Sequence, residues 1–464
     1  MTYNYNSLTP YYHSIQTLTK SLLYDIISPC VTLLLNMEFA MARWIDRINH
    51  PLFKTLVTVK GNPRIALYTE PLWIIPFNLF APFISVYMAA LLLSDSQIGL
   101  IASIFMLVRT ITAVFSGAVT DKLGRKLTTF IFDTASWSIP CLLWAFSQNF
   151  WWFVVGAAFN GLMQIPHTSW MCLLVEDAEE KSLVKIFSLL HVIGQSAVIF
   201  APLAAIMVNQ LTVVPALRIL YFFSFLSMTT KFIILYKYGD ETRVGRTRME
   251  ETKNMSIWQI MSGYGSIYKR IFASPKMVLS LLLMTIFNIT WMVSGSFFGL
   301  YVTGTLLIPE HFLAYFPIIR SVVIVLFIYL LQPKLDKFGF RSPMLIGLVI
   351  FIASIVLLIM TPVGSLPILF AFIVVDAVAY SFVVPRSDSL TQLLIEPSER
   401  ARINGLMMVI VLGLSIPFGY LAGWLSEMDR RYPFILIGVF LVMMFTIIAS
   451  NKKRLDSMKK NIAG

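Results

Sequence analysis

Charge is scarce in this chain: Asp, Glu, Lys and Arg make up 13% of its 464 residues, about half the share of an ordinary soluble domain. With 57% hydrophobic residues, that scarcity excludes a soluble multidomain protein, a disordered chain and a coiled coil. Cysteine numbers three, Cys30, Cys141 and Cys172, too few and too scattered for a disulfide framework or a thiolate metal site. Histidine numbers five, so the His, Asp and Glu constellation of a membrane-boundary enzyme is missing, and neither catalysis nor a cofactor or metal is expected. No Gly-x-x-x-x-Gly-Lys-Ser/Thr run occurs, which argues against an ATP-driven pump. No filter-like segment or repeated acidic ring points to a channel.

What the chain does have is apolar runs. About 20 largely apolar residues cross the hydrocarbon core as a helix, and such stretches follow one another. They are Leu72–Leu93, Ile98–Val119, Leu127–Ser147, Phe150–Val175, Val184–Val208 and Pro215–Tyr238, then Val278–Gly304, Phe312–Gln332, Pro343–Thr361, Leu366–Leu394, Ile403–Ser426 and Tyr432–Ser450. The expected fold is an all-α integral membrane protein with twelve transmembrane helices in two six-helix bundles, over 71–238 and 277–450. A charged cytoplasmic linker at 239–276 separates them, and a tail follows at 451–464. In segment 1–70, Leu23, Ile26, Ile27, Leu34, Met41, Trp44 and Ile48 recur at helical spacing between charged residues. It reads as an amphipathic helix on the inner membrane face.

Net charge is +12. Most of the Lys and Arg fall in alternate loops, the others holding only Arg430 and Arg431 with Arg218 at an edge. The excess therefore orients a multi-pass cell-membrane protein with both termini in the cytoplasm and meets anionic lipid head groups; no nucleic acid is expected as a partner.

The two halves repeat. Thr120-Asp121-Lys122-Leu123-Gly124-Arg125-Lys126 recurs as Leu335-Asp336-Lys337-Phe338-Gly339-Phe340-Arg341, and Pro166-His167-Thr168-Ser169 as Pro385-Arg386-Ser387-Asp388. Leu173-Leu174-Val175-Glu176 recurs as Leu394-Ile395-Glu396, and Phe77-Asn78 as Phe287-Asn288. The order is kept and the depth in corresponding spans agrees, as in transporters built from related halves. With Gly117 ahead of Asp121, the segment Gly117 to Lys126 resembles the signature between the second and third helices of the major facilitator superfamily. The resemblance covers about residues 65–450 and departs from the antiporter pattern, with Ala201-Pro202-Leu203-Ala204-Ala205 where some members carry Gly-Pro-x-x-Gly-Gly. It implies alternating access around a midplane site, with helices one, four, seven and ten lining the cavity.

Candidate residues follow. Gly117, Asp121, Gly124 and Arg125, with Asp336, Gly339 and Arg341 in the repeat, form a conformational latch in which Asp121 accepts hydrogen bonds from basic residues or caps a helix N-terminus. Charges inside spans face a cavity or a partner. Arg109 and Arg320 read equally as ligands of the solute or structural partners, and Lys231 reads as a snorkelling side chain. Asp388, Asp376 and Asp133 are candidates for carrying a proton. His167 and Arg386 are related by the repeat, and the resemblance sets them across the cavity from each other. Asn78, Asn288, Gln164, Trp291 and Tyr380 supply polar and aromatic lining for the solute. The expected activity is proton-coupled secondary transport of a small anionic or zwitterionic solute by a monomer, its partners being that solute, H+ and the bilayer. Efflux of lipophilic compounds by the same fold and a transporter-like receptor are the alternatives.

Overall fold

The computed structural model describes residues 58–178, 180–260, 271–331, 335, 341–393 and 400–451. The amphipathic segment up to residue 57, Asp336, Gly339 and the side chain of Asp388 lie outside the described residues. Among the described residues every regular element is helical.

The long helices run in chain order as α1 Asn62–Ala90, α2 Asp95–Leu123, α3 over 125–145, α4 over 150–175, α5 Lys185–Leu211, α6 Val213–Tyr238, α7 Met277–Gly304, α8 Glu310–Ile328, α9 Arg341–Ile359, α10 Leu366–Ser387, α11 Gly405–Met428 and α12 Tyr432–Ser450. Ten of them, all but α3 and α4, are long and apolar enough to cross a membrane. Those two are helical from end to end but hold Arg125, Lys126 and Asp133, or Asn160, Gln164 and His167, polar groups that lower their hydropathy. Large apolar side chains such as Ile111, Phe222, Val349 and Val439 are exposed, a surface suited to lipid and not to water.

Local chemistry sets the helix boundaries. Ser94 opens α2 with a reciprocal capping box to Gln97, satisfying two donors the first turn cannot. Gly124, at φ +82°, turns the chain from α2 into α3, a conformation that L side chains avoid. Asn149 caps α4 by accepting from the Trp151 N–H.

One boundary differs from expectation. The first spanning helix begins at Asn62, with Pro63 in its first turn, and so takes in Glu70, which the apolar run starting at Leu72 leaves outside. Glu70 is tolerated there because Lys231 of α6 reaches it at 2.7 Å.

Candidate functional site

The larger cavity, about 260 Å³, is enclosed by α7 to α12. Arg320 of α8 and Asp376 of α10 meet in it at 3.2 Å. The Arg320 guanidinium lies 4.8 Å from the centre of the Tyr380 ring and 5.7 Å from that of Trp291, close enough for both rings to stabilise its charge. Asp376 and Tyr380 are one turn apart on α10 and share a face. Trp291 is 64% exposed and so faces open space, while Asn288 donates from Nδ2 to Ser415 Oγ at 2.8 Å, tying α7 to α11.

Four expected residues, Asn288, Trp291, Tyr380 and Asp376, therefore come together here. Arg386 does not line this cavity; it is 6% exposed and donates back to the Phe382 carbonyl on its own helix. Helical rotation explains the exchange. Ser387 falls on the Asp376 stripe and lines the cavity, whereas Arg386, one residue earlier, is turned about 100° away. The lining also draws on α8, α9, α11 and α12, so the cavity belongs to the C-terminal half and is not the arrangement of helices one, four, seven and ten that the resemblance implies.

A second cavity, about 200 Å³, lies between the halves, walled by Ala113, Ser116 and Gly117 of α2, Gln164 and Thr168 of α4, and Gly405 to Val409 along α11. Gly117, expected in the latch, lines this cavity. Arg109 donates from Nε to Gln164 Oε1 at 3.3 Å, and His167 is exposed one turn further along α4. Met408 lines both cavities. Asn78 donates to the Ile74 carbonyl within α1, and Asn160 to the Ser136 carbonyl of α3; both bonds are structural.

A buried ionic cluster sits inside the N-terminal half. Lys231, expected to snorkel, is 4% exposed, paired with Glu70 and held between Trp73 and Trp170 at 5.7 and 5.5 Å from the ring centres. The charged neighbours of Asp133 are Lys231 and Glu70. Lys231 does not snorkel because the Glu70 carboxylate meets its ammonium inside the helix bundle.

At the basic end of the helices, Arg125 is buried and binds Asp121 at 3.1 Å and Glu176 at 3.0 Å. Asp121 also accepts from Arg248 at 2.8 Å. Arg248 stands on a short helix, Arg243–Thr252, that follows α6. Glu241 accepts from the backbone N–H groups of Arg125 and Lys126, each at 3.0 Å, and so places its negative charge on the N-terminus of α3. A Cβ at Gly124 would lie 2.5 Å from Glu241 Oε2, so only glycine admits this cap. Burial works against the Arg125 charge, but hydrogen bonding to Glu176 and the fields of Glu176 and Asp121 more than offset it and hold its pKa above the ordinary guanidinium value. Hydrogen bonding to Asp121 raises Arg248 likewise.

Sequence reasoning placed Asp121 and Arg125 here and missed Glu176, Glu241 and Arg248. The repeat of Glu176 at Glu396 carried a signal for the first; the other two stand in a charged stretch that reads as solvated linker. Arg341 donates to the Ala449 carbonyl, holding α9 to α12.

The opposite end joins α2 to α11. Asp95 accepts from Arg430 at 3.0 and 3.2 Å and from Ser426 at 2.7 Å, and Ser96 donates to Glu427. Behind these contacts Gly99 packs against Gly419 and Gly423, where any added Cβ would strike backbone. Further along, a Cβ added at Gly413 would meet Thr110 only at van der Waals distance, and one added at Gly405 would meet nothing. The two helices therefore meet tightly at the Asp95 end and diverge around the second cavity.

The family model of the Major Facilitator Superfamily matches residues 74–319 and 284–461. Comparison with curated protein sequences gave no match. Among solved structures, the nucleoside transporter NupG superposes with a TM-score of 0.64 at 16% identity, covering 84% of this chain and 99% of its own. A POT family transporter in complex with 5-aminolevulinic acid gives 0.62 at 11% identity, over 85% and 96%. A bacterial homologue of the iron transporter ferroportin in an inward-facing state gives 0.61 at 12% identity, over 84% and 98%. At such identities the likeness is one of fold.

Proposed function

The chain belongs to the major facilitator superfamily, and from that premise we propose that it moves a small zwitterionic or anionic solute through the C-terminal cavity, coupled to protons, by rocking two six-helix bundles against each other. The general function of such a multi-pass membrane protein is secondary active transport by alternating access. The observation that carries the finer reading is the Arg320–Asp376 pair in a cavity roofed by Tyr380 and Trp291. A solute carboxylate would displace Asp376 from Arg320, and a proton would then take up the charge left on Asp376. One exchange thereby links binding to proton movement, with no step that leaves a buried ion alone. Asp133 is a second proton carrier in this reading, held between Lys231 and Glu70, and Asp121 with Arg125, bonded within the N-terminal half, moves with that half where the expected latch would break.

With the basic end in the cytoplasm, the Asp95 end is the outer gate, closed here, and the second cavity is the inner vestibule. The tight α2/α11 contact at Gly99 and the open space at Gly405 support that orientation. A cysteine at exposed Met360 should be labelled only from outside and one at exposed Trp258 only from inside.

The test is uptake into proteoliposomes under an imposed pH gradient. Wild-type protein should accumulate amino-acid-like or carboxylate solutes with the lumen alkaline. Asp376→Asn should abolish accumulation and keep solute exchange without a gradient. Expulsion of lipophilic cations by wild type, with no response to any carboxylate, would replace this reading by efflux.

A further inference from the structure

Arg109 lies at the midpoint of α2 and is half-buried. Its hydrogen bond is to a neutral amide, Gln164, and among the described residues no carboxylate forms an ion pair with it. Two other cations inside the helices differ: Lys231 has Glu70 and Arg320 has Asp376. An arginine in the membrane without an anion costs several kcal/mol by insertion scales, and such a residue is retained where something pairs with it.

The surroundings show what that something is. Arg109 shares one face of α2 with Ala113, Ser116 and Gly117, at steps of four, seven and eight residues, and these three wall the cavity between the halves. Gln164 and Thr168 of α4 wall it from a second side, and exposed His167 lies on the same face of α4 as Gln164. One permanent cation is thus surrounded by neutral hydrogen-bonding groups. That set suits a monoanion and leaves half of a phosphate dianion unmatched.

We propose that Arg109, oriented by Gln164 and joined by His167 and Thr168, binds a solute carboxylate in the cavity between the halves. Met408 is common to this cavity and to the aromatic C-terminal one, so Arg109 is a separate subsite that the solute carboxylate occupies before it reaches Arg320. This subsite rests on the transport reading above and adds a residue of the N-terminal half to it.

The test is a binding measurement on purified full-length protein in detergent, with benzoate as probe and phenyl phosphate and benzyl alcohol as comparisons, read by thermal denaturation. Benzoate should raise the Tm of the wild type saturably, phenyl phosphate less at equal concentration, and benzyl alcohol not at all. Arg109→Gln should weaken the benzoate response at least tenfold while raising the Tm of the ligand-free protein, because a half-buried charge with no carboxylate partner among the described residues is gone. A merely structural arginine would lower that Tm. Arg109→Lys should keep a weakened response, which covers the case that Arg109→Gln does not fold. An unchanged benzoate response in either variant, equal stabilisation by benzyl alcohol, or tighter binding of phenyl phosphate would overturn the assignment. If the benzoate response fails while Asp376→Asn still uncouples uptake, this subsite falls and the transport reading stands.

Discussion

At the Asp95 end, side chains join α2 to α11 across the seam between the halves; at the Arg125 end, they join α2, α3, α4 and the following short helix on one side of that seam. The first set must come apart if the halves rock, because it spans the moving surface. The second can travel with the N-terminal half as one body. The burial differs in the same sense: the Arg125 side chain is 5% exposed, that of Arg430 31%. In the proposed cycle a contact that opens each time would be the wetter one, cheaper to break than a buried contact that stays shut.

Substitutions at the two ends should separate these roles. The largest effect belongs to Gly99→Leu, whose side chain has no space between Gly419 and Gly423. It should hold the Asp95 end open and reduce transport more than tenfold, with a cysteine at Met106 becoming labelled from that side. Next comes Glu176→Gln, which leaves buried Arg125 short of a carboxylate and should cost roughly 3 kcal/mol in thermal denaturation, with Met106 still protected.

Asp95→Asn should cost less, about 1 kcal/mol for a half-wet pair, yet it should raise labelling at Met106, and the swap Asp95→Arg with Arg430→Asp should restore protection. Glu241→Gln removes charge from the α3 N-terminus and should cost about 0.5–1 kcal/mol with labelling unchanged. Smallest is Arg248→Gln, since that side chain is 42% exposed. Its effect should shrink in high salt. A raised guanidinium pKa gives stability that is present at lower pH and lost only above the ordinary arginine range, so the difference from wild type should stay constant up to about pH 10. Loss of that difference nearer neutrality would assign it to another group.

Helical class, the spacing of the spans and the Asp121-to-Arg125 turn were legible because each depends on a local pattern: a run of apolar residues, a glycine needed at positive φ, an acid four residues before an arginine. The candidate site was half legible. Asp376, Tyr380, Trp291 and Asn288 could be picked out as polar or aromatic groups in apolar runs, and the structure gathers them. Arg386 was chosen over Arg320 because the repeat pairs it with His167, and a repeat records depth along a helix without the rotation about its axis. Glu70 was assigned outside the membrane because the charge that neutralises it is 161 residues away.

By itself, then, the sequence determined that the chain is helical, lies in a membrane, repeats short motifs along its length and carries charges within apolar runs. All of these are set by solvation and by contacts within a few residues. Only the tertiary structure decided which charges are paired: Glu70 with Lys231, Asp376 with Arg320, Asp95 with Arg430, and Arg109 with no carboxylate among the described residues. Pairing inside a bilayer depends on which helix faces are turned together, and one residue of rotation, about 100°, is enough to move a side chain from a cavity into a helix contact.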